Sequence, residues 1–238
     1  MKKHLPSKMK SLPALLFWGL VWALAAWALG KPLLLPSPLQ VLRCMGRLAL
    51  TPDFWRITLT SIGRILLGLG LGMGLGALLA VLTEAVPLLD ALIAPAMTAM
   101  QATPVASFAI LVLICGMMVL PVVYGSVSAG IRTVDVQLLE MAKVSSLPLF
   151  RTLRRIYVPS VMPFFRTSCC SALGLGWKAG IAAEVLTVPK QSMGRMISEA
   201  KLYLMTEELF AWTLAVVLLS LLLQKLMLRL MEGRKRGC

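Results

Sequence analysis

Lys178 and Glu184 both fall inside one apolar block of this chain, from about residue 161 to 188. Ionisable groups at such depth in an apolar helix face a cavity or a partner. The chemistry open to them is electrostatic, either attracting a charged solute or pairing with another element. Six residues separate them, about 240° around a helix, so they do not pair within it. Lys178 is the candidate to face a central pathway and attract an anion. Glu184 is the candidate to pair elsewhere, with the 190–208 segment. The plainer alternative leaves both near an interface or bonded to neighbouring helices.

Other chemistry finds little support. His4 is the sole histidine and lies in a basic tail, where it reads as solvated. Cys44, Cys115, Cys169, Cys170 and Cys238 form no C-x-x-C pair, which argues against zinc, haem and thiol catalysis. Adjacent Cys169 and Cys170 read as small apolar packing residues. No G-x-x-x-x-G-K-[ST] loop is present to cradle phosphates, and no nucleophile–histidine arrangement or acid/base pair is visible. This sequence is expected to be no enzyme and to bind no cofactor and no metal.

The elements that carry these residues are built for lipid. Of 238 residues 58% are hydrophobic and only 14% charged, and the mean hydropathy is +0.84. A soluble domain would carry roughly 25% charged residues. The apolar residues fall in blocks of about 20, the length that crosses a bilayer as helix. The net charge of +14 could suggest nucleic acid, but the basic residues cluster at the ends of apolar blocks, as the positive-inside tendency requires.

The expected fold is all-α, a single polytopic domain over 1–238 with about six membrane-spanning helices. The spans read as 12–30, 57–82, 86–106, 108–129, 161–188 and 209–231. Although Lys2, Lys3, Lys8 and Lys10 before an apolar run imitate a signal peptide, this run exceeds the usual secretory length, so it reads as an uncleaved span. A proline-rich linker with Pro32, Pro36 and Pro38 follows, and it cannot be regular helix. The N-terminus, residues 131–158 and the tail from Arg229 are rich in Lys and Arg, which puts both termini and that loop in the cytoplasm. The 190–208 segment balances Lys190, Arg195 and Lys201 against Glu199, Glu207 and Glu208, so it faces outward. The parity holds only if 85–130 crosses twice. In the second span, Gly68, Gly72 and Gly76 form overlapping small-x-x-x-small patterns with Gly70 and Gly74, a surface for close helix packing.

One polar island, Glu140–Pro159, breaks the apolar pattern. Asp135 can cap a helix over about 136–144, Ser145-Ser146 interrupts it, and Pro148 can open a second short helix. On that second helix Leu149, Phe150, Leu153, Ile156 and Tyr157 share one face, with Arg151, Arg154 and Arg155 on the other. Two helices joined at a sharp turn would lie along the membrane surface. Periodicity alone leaves open an interfacial helix that binds acidic lipid.

The spacing carries further. Glu140-Met141-Ala142, three residues, Ser146, nine residues, then Ile156-Tyr157-Val158-Pro159 resembles the E-A-A-x-x-x-G-x9-I-x-L-P motif of ABC-importer permeases. Leu35-Pro36-Ser37-Pro38, Ala102-Thr103-Pro104, Gly130-Ile131-Arg132, Trp177-Lys178-Ala179 and Ala183-Glu184-Val185 are similar to the nitrate/sulfonate/taurine branch of that family. The resemblance implies a type I importer fold and a homodimer around a central path in the bacterial inner membrane. It also implies that the 131–159 loop couples to ATPase subunits, with ATP used by the partner, and that an extracytoplasmic substrate-binding protein delivers a small oxyanion. Ser146 departs from the family's glycine: if the turn needs positive φ, Ser is strained there, although it can still help cap the next helix. Leu113-Ile114-Cys115-Gly116 runs almost directly into Met117 to Pro121, so the third–fourth hairpin is shorter than the family's. This departure supports a second reading, a shortened, transport-inactive membrane-anchored interaction protein.

Overall fold

The computed structural model describes residues 7–31, 33–102 and 111–232. The turn expected near 107, the Thr103-Pro104 pair, His4 and Cys238 lie outside them. The described residues are all-α. Among the described residues four helices are long and apolar enough to cross a membrane: α3 (Pro52–Ala85), α5 (Leu111–Arg132, apolar from Val112), the stretch Phe150–Thr187, and α10 (Thr206–Glu232). Two further helices, α1 (Ser7–Leu29) and α4 (Pro87–Ala102), correspond to the remaining expected spans. Among the described residues Leu16–Leu29 of α1 is a shorter apolar helix, and α4 has 16 residues.

The core forms where α3, α5 and α8 (Val158–Thr187) meet, around Ile65, Leu69, Val119, Val123, Ala172 and Trp177. The glycine stripe explains why α3 and α5 run so close. A Cβ on Gly72 would fall 2.6 Å from the Gly116 carbonyl oxygen of α5, one on Gly76 2.6 Å from the Leu120 oxygen, and one on Gly68 2.6 Å from Cys115 Cβ and 2.8 Å from the Val112 oxygen. Backbone packing of this kind replaces hydrophobic drive, which is absent between helices in lipid. The alternate register is idle, since nothing lies within 4 Å of a Cβ built on Gly70 or Gly74.

Two short helices extend the expected organisation. The linker is indeed non-helical before Ser37, but Pro38 starts α2 (Pro38–Ala49) and does not block it. Proline suits the first helical turn, where its missing N–H has no helical partner anyway. Ser37 Oγ accepts from the Gln40 amide and Gln40 Oε1 accepts from the Ser37 amide, a complete capping box. In the 190–208 segment, α9 (Met193–Leu202) is capped by Ser192 and packs on α8 and α10.

The polar island differs from the expectation in one respect. Helix α6 (Val136–Val144) is capped by Asp135, whose carboxylate accepts from the Gln137 amide. The next helix, α7 (Leu149–Thr152), is not a separate short element, because it continues through a π-helical turn at Leu153–Tyr157 straight into α8. Pro159 supplies a physical reason. Proline lacks the amide hydrogen and crowds the carbonyl four residues back. The wider turn, in which the Val158 amide donates to the Leu153 carbonyl five residues back, relieves that crowding without ending the helix.

Candidate functional site

The 131–159 loop presents an exposed apolar edge. Met141 is 66% exposed, Val144 87% and Phe150 71%, while Ala142 between them is buried. Glu140 is also exposed. The turn between α6 and α7 is a Schellman arrangement: the Leu147 amide donates to the Ala142 carbonyl and the Ser146 amide to the Lys143 carbonyl. That geometry needs a left-handed residue at the position after the cap. Ser146 occupies it with φ of 51°, so the serine sits where glycine is unstrained. Ile156 is half-buried and Pro159 exposed on the continuing helix.

A polar network ties this loop to the bundle. Tyr124, Ser128 and Arg132 are spaced four residues apart on α5 and face the α3–α4 corner. Tyr124 Oη donates to Asp90 Oδ1 at 3.1 Å, Ser128 Oγ donates to Glu84 Oε1, and Arg132 Nε donates to Glu84 Oε1 at 2.6 Å. Arg132 Nη2 also lies 3.7 Å from Asp90 Oδ2. Arg132 precedes the α6 cap by three residues, so one guanidinium joins α3, α4 and α5 at the root of the loop. Sequence reasoning missed this network; the four-residue spacing is its one local signal, and Glu84 and Asp90 are distant in sequence.

Beside this network lies a cavity of about 510 Å³ between α3, α5, the π-helical turn and the start of α8. Its walls are apolar apart from Glu84, Thr152 and the Tyr157 hydroxyl.

Glu184 is 0% exposed at the far end of α8. Its Oε2 accepts from Ser61 Oγ at 2.9 Å and from the Gly194 amide at 3.1 Å, while Ser61 Oγ accepts from the Met193 amide at 2.9 Å. The carboxyl thus meets the N-terminus of α9, where backbone N–H groups and the helix dipole favour negative charge. Its Oε1 has no hydrogen-bond partner among the described residues. Nearby, Arg64 Nη2 donates to the Lys190 carbonyl at 3.0 Å. Gly194 is required by close approach, since a Cβ there would lie 2.3 Å from Glu184 Cβ. Val188, which ends α8, holds a left-handed conformation with φ of 46°, rare for a β-branched residue.

Lys178 is not brought near Glu184. It is exposed and lines a shallow cavity of about 440 Å³ between α8 and α10, with Gly174, Gln224 and Met227. Trp177 beside it points into the core and donates from Nε1 to the Val216 carbonyl at 3.2 Å.

No group of three or more His, Cys, Asp or Glu that could hold a metal occurs among the described residues. Cys44, Cys115 and Cys169 are buried on different helices. Burial, reinforced by the Glu208 charge, pushes the Cys44 thiol up from its ordinary value.

Two comparisons with known proteins bear on this arrangement. The sequence is 24% identical over 230 residues to the taurine transport system permease protein TauC of Escherichia coli (strain K12), covering 90% of this chain and 83% of that protein. The family profile described as binding-protein-dependent transport system inner membrane component matches residues 72–233, a stretch that holds the glycine stripe from Gly72, the 131–159 loop, Lys178 and Glu184. With its multi-pass helical fold, the chain belongs to this family of inner-membrane ABC-importer permeases, the membrane-spanning transport subunits of binding-protein-dependent systems.

Proposed function

We propose that two copies of this chain form the translocation path for a small anionic solute of the sulfonate or nitrate class, and that the edge from Val136 to Phe150 docks a cytoplasmic ATPase. The observation that carries this reading is the loop itself. At the motif's spacing, a rigid Schellman turn presents Met141, Val144 and Phe150 to solvent and leaves Glu140 free beside them. Exposed apolar side chains on a short, well-hydrogen-bonded corner are what a partner groove needs. The Arg132–Glu84 pair ties that corner to the bundle, so a push on the loop reaches α3 and α4.

In this reading α1 and α4 join the four long helices to give six spans, with both termini and the loop in the cytoplasm. ATP is bound and used by the partner, and an extracytoplasmic binding protein selects the solute. Lys178 faces the path and draws the anion inward, whereas Glu184 is an internal brace. The taurine named for the similar protein makes a sulfonate the first solute to try.

Co-purification tests the docking. The chain should bring down an ATPase subunit, and Glu140→Arg should lose it while remaining folded. An unaltered yield of ATPase with that variant removes Glu140 from the interface. Uptake of taurine by the reconstituted assembly tests the path; unchanged uptake with Lys178→Met would sink the role given to Lys178.

A further inference from the structure

The cavity beside the π-helical turn has a volume within the range of ligand pockets, roughly 300–1,000 Å³, yet almost nothing polar lines it. It is bounded by Ala77 and Val81 of α3, Val127 of α5, and Leu153, Val161 and Phe165 of the α7–α8 helix. An aqueous solute has no partners on such walls. The same stretch of chain is strongly basic: Arg151, Arg154 and Arg155 are exposed, and none makes an ion pair among the described residues. Thr152, Leu153 and Tyr157, interleaved with these arginines, face the cavity. Long basic side chains can lay their stems along apolar surface and carry the charge outward. An apolar slot and three exposed, unneutralised arginines on the same helix entry, each within two residues of a residue lining the slot, together match an amphiphile with an anionic head.

From this juxtaposition we infer that the cavity is a binding site for one anionic phospholipid, with an acyl chain in the slot and the phosphate against Arg154 and its neighbours. The π-helical turn is what opens the slot, because its extra residue per turn widens the helix where Leu153 and Tyr157 line the wall. The bound lipid would fill the gap between the docking corner and the bundle and so stiffen the link between them. This inference stands without the transport reading.

The test uses the full chain in nanodiscs of either phosphatidylglycerol or phosphatidylcholine, released gently and weighed by native mass spectrometry. The expected result is a retained phosphatidylglycerol molecule and little retained phosphatidylcholine. Arg154→Gln and Arg155→Gln should each lower phosphatidylglycerol retention by about fivefold, the factor for one basic residue at an anionic surface. Val158→Trp, at the exposed rim of the cavity, should abolish retention by filling the slot without burying new bulk in the core. Equal retention of both lipids, insensitive to Val158→Trp, would mean ordinary boundary lipid and overturn the proposal. A dimer mass that Val158→Trp dissociates would overturn it too, by assigning the slot to a second copy. The arginine variants are exposed and keep the fold, so they decide the matter if the tryptophan variant is poorly produced.

Discussion

The two ends of α8 solve opposite problems. At its far end, the Glu184 corner is closed: one fully buried carboxyl, one serine and two backbone amides hold α3, α8 and α9 together, with Gly194 packed so tightly that no side chain fits. At its near end, the 131–159 corner is open: Met141, Val144 and Phe150 lack internal cover, Arg151, Arg154 and Arg155 make no ion pair among the described residues, and a cavity lies behind it. Both corners contain strained left-handed residues, Val188 in one and Ser146 in the other. In the first case the Val188 amide donates to the Glu184 carbonyl at 2.9 Å although the side chain is exposed, and in the second two backbone hydrogen bonds close the turn. One helix therefore has an anchored end and a presented end, an arrangement suited to passing force between a partner and the membrane path.

The sharpest way to break this contrast is Gly194→Ala. The new methyl collides with Glu184 Cβ and with the Glu184–Val185 peptide, and about 3 kcal/mol of stability should be lost. Unfolding in mixed detergent micelles would read this as a clear drop in midpoint; an unchanged midpoint would show that the closed corner is looser than described. Next comes Glu184→Ala, which leaves the Gly194 amide and the Ser61 hydroxyl without their acceptor and should lose about 2 kcal/mol. Glu184→Gln, which keeps an accepting oxygen, should recover most of that loss in the same assay. At the open corner, Ser146→Gly removes the left-handed strain and should raise stability by about 1 kcal/mol; destabilisation would mean that the serine hydroxyl matters more than the backbone. Smallest in stability is Glu140→Arg, expected to shift unfolding by no more than about 0.5 kcal/mol while abolishing ATPase co-purification. A large stability change there would erase the distinction between the corners.

Much of the open corner was legible in the sequence. Asp135 as a cap and the break at Ser145-Ser146 depend on neighbours within a turn, whereas the single apolar face read after Pro148 is not kept: Phe150 and Leu153 are exposed, and the π-helical turn at Leu153–Tyr157 alters the spacing. The glycine stripe was legible as packing, yet its register was not: Gly70 and Gly74 fit the same pattern as Gly68 and Gly72, and only the position of α5 separates them. The closed corner was harder. Glu184 stood out as a charge in an apolar block, but Ser61 lies 123 residues away and its hydroxyl says nothing about its partner. Helix α2 was hidden by its prolines, although Ser37 followed three residues later by Gln40 is a readable start signal. The continuity of α7 with α8 could not be read, because Pro159 ordinarily argues for a break.

That continuity has a mechanical consequence. Phe150–Thr187 is a single helical run of 38 residues, about 57 Å long at the usual rise, against a hydrocarbon thickness of roughly 30 Å. Pivoted at its anchored end, such a rod sweeps its other tip by roughly 10 Å for a tilt of about ten degrees. Small rotations among closely packed helices thus become large strokes at the exposed corner, and the leverage runs in reverse as well.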